Sequence, residues 1–130
     1  MLGSSPIMAF AATTDSGRAK AFYEDVLGLK FVVDDSYALV FDANGTMLRI
    51  SKVADFKPAP YTVLGWKVTD MVESINELTA KGVAFERFPG FPQDDLGALT
   101  FPDGTKVAWF KDPDGNMLSL SNHPDAFKSS

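Results

Sequence analysis

The chemistry open to this chain is narrowed first by what it lacks. There is no cysteine and a single histidine, so thiolate nucleophiles, thiolate metal ligands and disulfides are excluded, and any imidazole base has to be His123. His123 stands in "SNHPD", just past the last strand-like run, and as a metal ligand it would need several carboxylates that the neighbouring strands do not supply. It reads as a surface or C-terminal packing residue, with nothing nearby to complete a triad or general-base pair. The sharper residue is Arg49 in "MLRIS", residues 47–51. A guanidinium on the inward side of a strand needs a partner, because an unpaired buried charge is costly. Two partners stay open on sequence. One is an internal ion pair with any of the 17 acidic residues. The other is a ligand carboxylate, phosphate or carbonyl, each charge-assisted hydrogen bond contributing about 1.5–3 kcal/mol.

The elements that must hold Arg49 show themselves as a repeat. "DANGTMLRIS" at residues 42–51 returns as "DPDGNMLSLS" at residues 112–121, which aligns Gly45 with Gly115, Met47 with Met117 and Ser51 with Ser121, and sets Ser119 against Arg49. The stretches before each copy repeat as well. "PIMAFAAT" from Pro6 is a short strand, Asp15 caps a helix with an apolar stripe at Ala19, Phe22, Tyr23, Val26 and Leu27, and Gly28 ends it. The strand runs "LKFVV", "YALVF" and "MLRIS" follow, the last two joined by the Asn44-Gly45 turn. After the proline-punctuated "DFKPAP", "YTVLGWKV" is again a strand, and Asp70 with Glu73 opens a helix whose stripe runs Met71, Ile75, Leu78 before Gly82. Strands are expected at "VAFERF", "KVAWFKD" and "NMLSLS", with a further one at "ALTF".

This order predicts an α+β fold: two tandem βαβββ modules forming a curved mixed sheet around a central cleft. The chain is expected to be one domain over residues 1–130, with module one at about 6–53, a linker at 54–60 and module two at about 61–122. One module of that size buries too little surface to be stable alone, so the pair must share a core. A net charge of −5 without any Lys/Arg run argues against a nucleic-acid surface. No apolar run approaches the roughly 20 residues that span a bilayer, and the N-terminus lacks a basic region followed by a long apolar block. A soluble, cytoplasmic protein with no membrane partner is expected.

"AFYEDVLGLKF" after a strand, the repeated βαβββ order and the ending "WFKDPDGNMLSL" together resemble the vicinal oxygen chelate superfamily, which contains glyoxalase I, extradiol dioxygenases and bleomycin-resistance proteins. The resemblance runs from about Pro6 to Asn122. It implies the fold and a homodimer, but no single activity, since this fold hosts many chemistries. In metal-dependent members a divalent ion is held by His, Glu or Gln on the first and last strand of each module. Carried over one at a time, those positions fall on Met8 and Val63 in the first strands, and on Arg49 and Ser119 in the last. None of the four chelates a hard or borderline cation, and "PIMAF", "MLRIS", "YTVLG" and "MLSLS" contain no His, Asp, Glu or Gln. No metal and no other cofactor is expected.

Strand alternation assigns the cleft face. If the chelating positions look inward, so do Met8, Phe10 and Ala12, then Met47, Arg49 and Ser51, then Val63, Gly65 and Lys67, and finally Met117, Ser119 and Ser121. Ala9, Ala11, Leu48, Ile50, Leu118 and Leu120 then pack under the helices. The 70-residue offset between the two copies pairs Leu39 with Trp109 and Phe41 with Lys111, which brings that row toward the cleft too. The resulting ligand-binding set is Met8, Phe10, Met47, Arg49, Ser51, Val63, Lys67, Trp109, Met117 and Ser119: apolar walls with sparse polar points, as small-molecule pockets have. The bland alternatives are core filler for the methionines and Phe10, and packing or a dimer interface for Trp109. The longest loop, "RFPGFPQDDLG" at 87–97, is expected to be a flap carrying Phe88 and Phe91, with Asp94 and Asp95 placed to meet a cation. The function expected is metal-free binding that sequesters a small aromatic or amphipathic compound. The alternatives are a glyoxalase-like lyase, isomerase or dioxygenase, or a metal-independent enzyme on the same fold.

Overall fold

A computed structural model of the chain describes residues 1–123. After a short turn of 3₁₀ helix at Leu2–Ser4 come β1 (Met8–Thr13), α1 (Ser16–Ala21), β2 (Lys30–Asp34), β3 (Ala38–Ala43) and β4 (Thr46–Lys52). The second module repeats the order as β5 (Leu64–Lys67), α2 (Met71–Ala80), β6 (Leu99–Thr100), β7 (Lys106–Lys111) and β8 (Met117–Asn122). Asp15 and Asp70 cap the two helices by accepting from the backbone N–H groups of Arg18 and Glu73, each three residues on. α1 widens at its end into a π-helical segment, Phe22–Val26, closed by Leu27 N–H donating to the Phe22 carbonyl at 3.0 Å. That segment buries Tyr23 completely and lays Phe22, Val26 and Leu27 on the core around it.

Each module forms its own four-stranded mixed sheet, in the orders β1-β4-β3-β2 and β5-β8-β7-β6. β1 pairs parallel with β4 and β5 parallel with β8, while the other pairs are antiparallel. β1 and β5 lie beside one another without sharing a ladder, so the two tandem βαβββ modules each keep a mixed sheet of their own, as the repeated order implied. One apolar core joins the modules: Tyr23, Leu39, Phe41, Leu48 and Ile50 pack in the same cluster as Ile75, Phe110 and Leu118. Each such side chain, fully buried, contributes about 1.5–3 kcal/mol, which is why neither module is left to bury its own sheet alone.

Two expectations need correction. Leu39 and Phe41 do not reach the cleft; both are fully buried in the core, opposite Ile50 and Leu48. In module one Val40 is the residue opposite Arg49, whereas in module two Trp109 is opposite Ser119. The constant offset therefore holds through the turn and the last strand but slips by one residue in the strand before it, because the second hairpin loop is one residue longer. A slip of one residue carries every side chain to the other face. The second correction is "VAFERF", which forms only the isolated bridge Phe85↔Phe110 and one bond from Glu86 N–H to the Trp109 carbonyl, at 2.7 Å. β6 takes the rest of that edge of β7, pairing at Val107 and Lys106. Pro89 and Pro92 follow closely, and neither can donate to a ladder.

Candidate functional site

The faces of β1 and β4 turned away from the core form one half of the candidate site. Alternation puts Ala9, Ala11, Leu48 and Ile50 against the core, so Met8, Phe10, Met47, Arg49 and Ser51 share the opposite face, with Met8 beside Met47 and Phe10 beside Arg49. This half is open: Met8, Phe10 and Met47 are 44%, 55% and 43% exposed. Beside Met47 a depression of about 200 Å³ is lined by Val32, Val40, Phe41, Asp42 and Gly45.

Arg49 sits in the middle of this surface and is paired. Its Nη2 donates to Asp35 Oδ2 at 2.8 Å, and Asp35 Oδ1 accepts from the backbone N–H groups of Tyr37 and Ala38 at 3.0 and 2.9 Å. The Arg49 hydrogen bond, with those two backbone bonds behind it, holds the Asp35 carboxyl below the usual carboxylate range. Next to it Lys52 Nζ meets Asp34 Oδ1 at 2.6 Å, and the Asp34 carboxyl is lowered chiefly by that contact. Of the two partners that the sequence left open for Arg49, the internal ion pair is present. Asp35 went unnoticed in the sequence, though "DDSY" just ahead of a strand is a side-chain-bonded turn in outline.

The module-two half is built differently. Gly65 and Trp109 both flank Ser119, Lys67 flanks Ser121, and Lys111 flanks Met117. Ser119 is only 5% exposed and Met117 is buried. Gly65 has no room for a side chain, because a Cβ there would lie 2.9 Å from Ser119 Oγ. Phe88 meets the Trp109 ring edge-on at 5.4 Å, and Phe91 packs on Phe88 at 6.0 Å. Lys111 pairs with Glu86 at 3.6 Å. Val63 precedes β5, donates its N–H to the Met117 carbonyl at 2.9 Å and rests against the core cluster. The structure thus groups Met8, Phe10, Met47, Arg49 and Ser51 on an open surface, while Met117, Ser119 and Trp109 lie in a more closed one and Val63 belongs with the core.

The loop at 87–97 is held by its own bonds. Gln93 Nε2 donates to the carbonyls of Glu86 and Gly97 at 2.9 and 2.8 Å, while its Oε1 accepts from Phe88 N–H at 2.7 Å. Arg87 bridges the carbonyls of Asp94 and Asp95. Asp94 Oδ1 already accepts from Leu96 and Ala98 N–H, both at 2.9 Å, so it is tied into the loop. Gln93 is the organising residue here, and no spacing rule pointed to it.

A divalent metal does not suit the donors present. At the four carried-over positions stand a thioether, a guanidinium, an alkyl group and a hydroxyl, and among the described residues no three His, Cys, Asp or Glu side chains are grouped to hold an ion. His123 is exposed just beyond β8, at the end of the described residues, and the Pro124 and Asp125 of "SNHPD" lie outside them.

The strongest polar cluster lies elsewhere, at the contact between modules. Tyr23 OH donates to Asp112 Oδ2 at 2.7 Å, Asp112 Oδ1 accepts from Asp114 and Asn116 N–H at 2.9 Å, and Asn116 Nδ2 reaches the Ala12 carbonyl at 2.8 Å. Thr13 Oγ1 donates to Asp114 Oδ2 at 2.6 Å, and Thr14 N–H to its Oδ1 at 2.9 Å. Burial pushes the Tyr23 phenol far up, with the Asp112 charge adding to it. Burial also pushes Asp114 up, but the bonds from Thr13 and Thr14 and the nearby Arg18 outweigh it, leaving that carboxyl below its usual value. The two most recognisable motifs of the chain, "FYEDVLG" and "DPDGN", are therefore the two halves of a structural clamp.

Comparison with known proteins agrees with this architecture. The Glyoxalase/Bleomycin resistance protein/Dioxygenase superfamily matches residues 7–120. Among solved structures, a member of that superfamily from Sphaerobacter thermophilus is 23% identical with a TM-score of 0.74, covering 95% of this chain and 100% of its own. The fosfomycin resistance protein FosX from Listeria monocytogenes is 14% identical with a TM-score of 0.73, covering 93% and 94%. Lactoylglutathione lyase from Agrobacterium tumefaciens is 20% identical with a TM-score of 0.68, covering 91% and 93%. At these identities the likeness is one of fold. No curated protein matches the chain. On the residues matched, the chain belongs to the Glyoxalase/Bleomycin resistance protein/Dioxygenase superfamily.

Proposed function

We propose that this protein is a metal-independent small-molecule-binding member of its superfamily, acting as a cytoplasmic homodimer and sequestering an aromatic or amphipathic compound on the face formed by β1 and β4. The observation that carries this reading is the character of that face. Large apolar side chains, Met8, Phe10 and Met47, stand open around one paired arginine, in the place where chelating side chains would be needed for metal chemistry. Such a surface offers apolar affinity and one polar orienting point, which is what binding requires. Lyase or dioxygenase turnover of the metal-dependent kind would need imidazole or carboxylate ligands that these strands do not carry. Among the described residues no helix is long and apolar enough to cross a membrane.

The test is a thermal-shift screen of small aromatic and amphipathic compounds, run with and without a chelator. Stabilisation that survives the chelator is expected, and Phe10→Ala with Met47→Ala should remove it. Elemental analysis showing about one tightly held divalent metal per chain, with ligand stabilisation lost on its removal, would overturn the reading.

A further inference from the structure

We infer that the ligand of the β1–β4 face is a small amphipathic acid whose carboxylate is taken by Arg49, with Asp35 holding the guanidinium in place. This inference rests on the reading of that face as a small-molecule site and names the charge of what it binds. The net charge of −5 points toward a cation, but the hydrogen-bonding capacity at the site points the other way. Asp35 is committed: Oδ1 accepts from two backbone N–H groups and Oδ2 from Arg49. Little acceptor capacity is left there for an ammonium group. A guanidinium has five N–H donors in a rigid fork, and Asp35 engages Nη2 alone. The donors that remain suit a carboxylate, whose oxygens form short charge-assisted bonds with a guanidinium edge.

Asp35 itself is fixed by the turn that carries it. Its carboxylate is bonded to the backbone of Tyr37 and Ala38, and its own N–H donates to the Ala38 carbonyl at 3.1 Å. Arg49 is therefore oriented before a ligand arrives, which lowers the entropy cost of binding. The neighbouring Asp34–Lys52 pair is closed on itself at 2.6 Å and completes a cluster of four charges that cancel.

Strand geometry sets the shape of the ligand. Phe10 lies directly beside Arg49 on β1, and Met47 precedes Arg49 by two residues on β4, about 6–7 Å along the strand at the usual rise. An acid carrying an aromatic or branched apolar group a few carbons from its carboxylate would reach both.

The experiment compares 4-phenylbutyrate, 4-phenylbutyramide and 4-phenylbutylamine, which share an apolar body and differ in the head group. Binding is measured at pH 7 by ligand-observed NMR up to millimolar concentration. The acid is expected to bind about tenfold or more tightly than the amide or the amine, a difference of about 1.4 kcal/mol. Arg49→Gln should erase that preference by weakening acid binding much more than amide binding. Asp35→Asn, which cannot accept from Arg49 and keep both backbone bonds, should release the guanidinium and shrink the acid-to-amide preference severalfold, and an unchanged preference would remove Asp35 from the role given to it. If the amide or amine binds as well as the acid, the inference falls while small-molecule binding stands. If none of the three binds, both fall. Should Arg49 serve only to brace the β2–β3 turn, Arg49→Gln would lower the melting temperature without changing the acid-to-amide ratio, and that outcome also overturns the inference.

Discussion

The turns "DANG" and "DPDGN" look alike in sequence and do different work in the molecule. Asp42 accepts a single bond, from Gly45 N–H at 2.7 Å, and stands exposed at a tight hairpin whose Asn44 and Gly45 both take positive φ, 53° and 93°. Asp112, only 5% exposed, accepts from two backbone amides, from Asn116 and from Tyr23 on the other module. The difference lies in what faces each turn. Counting from the helix-capping aspartates, the residue equivalent to Tyr23 in the second module is Leu78, which has no hydroxyl to offer. Around the module-one turn there is instead a crevice of about 170 Å³, lined by Ala43 and Thr46 on one side and Leu64 and Trp66 on the other. A duplicated unit has kept its local turn chemistry twice and its inter-module clamp once.

The largest break in this comparison should come from Asp112→Ala. It leaves the Tyr23 hydroxyl and two backbone amides without their acceptor, and a cost of about 3 kcal/mol or more is expected in urea unfolding. Tyr23→Phe removes one buried donor while Asn116 Nδ2 still satisfies Asp112 Oδ2 at 2.8 Å, so about 1–2 kcal/mol is expected in the same assay. Gly65→Ala pushes a methyl group against Ser119 Oγ, and about 1 kcal/mol should be lost, part of it recovered in the double variant with Ser119→Ala.

The clamp also predicts opposite limits in pH. The lowered Asp114 carboxyl contributes stability that is present above its ordinary value of 3.8 and is lost as pH falls through its lower folded value. The raised Tyr23 phenol contributes stability that is present below its ordinary value of 10.0 and is lost as pH rises above it. Unfolding followed across pH should show Asp114→Asn softening the acid limb and Tyr23→Phe softening the alkaline one. The smallest effect belongs to Asp42→Ala, about 0.5 kcal/mol for one exposed turn bond. A loss as large as that from Asp112→Ala would remove the distinction between the two turns.

Much of the make-up of the β1–β4 face was legible from alternation alone. Met8, Phe10, Met47, Arg49 and Ser51 share a face because side chains in a strand repeat every two residues, and the same rule separated Leu48 and Ile50 into the core. Leu39 and Phe41 were misplaced because repeat alignment counts residues while a sheet counts pairs, and one added loop residue separates the two. Asp35 and Gln93 were not legible, since each acts by folding back on its own loop, which leaves no periodic trace. The pairing of Tyr23 with Asp112 spans 89 residues and was hidden for a related reason. Each motif is complete as local structure, and nothing in either names the other.

The sequence by itself determined the duplication, the two capped helices, the strand faces and the absence of chelating side chains at four carried-over positions. Those features depend on residue type and short spacing, where local geometry is enough. Only the tertiary structure decided that Arg49 is held by Asp35, that one turn clamps the modules while its twin does not, and that one half of the face is open and the other covered. Each of these depends on which distant groups meet after the two sheets pack on a common core, and no local pattern encodes that meeting.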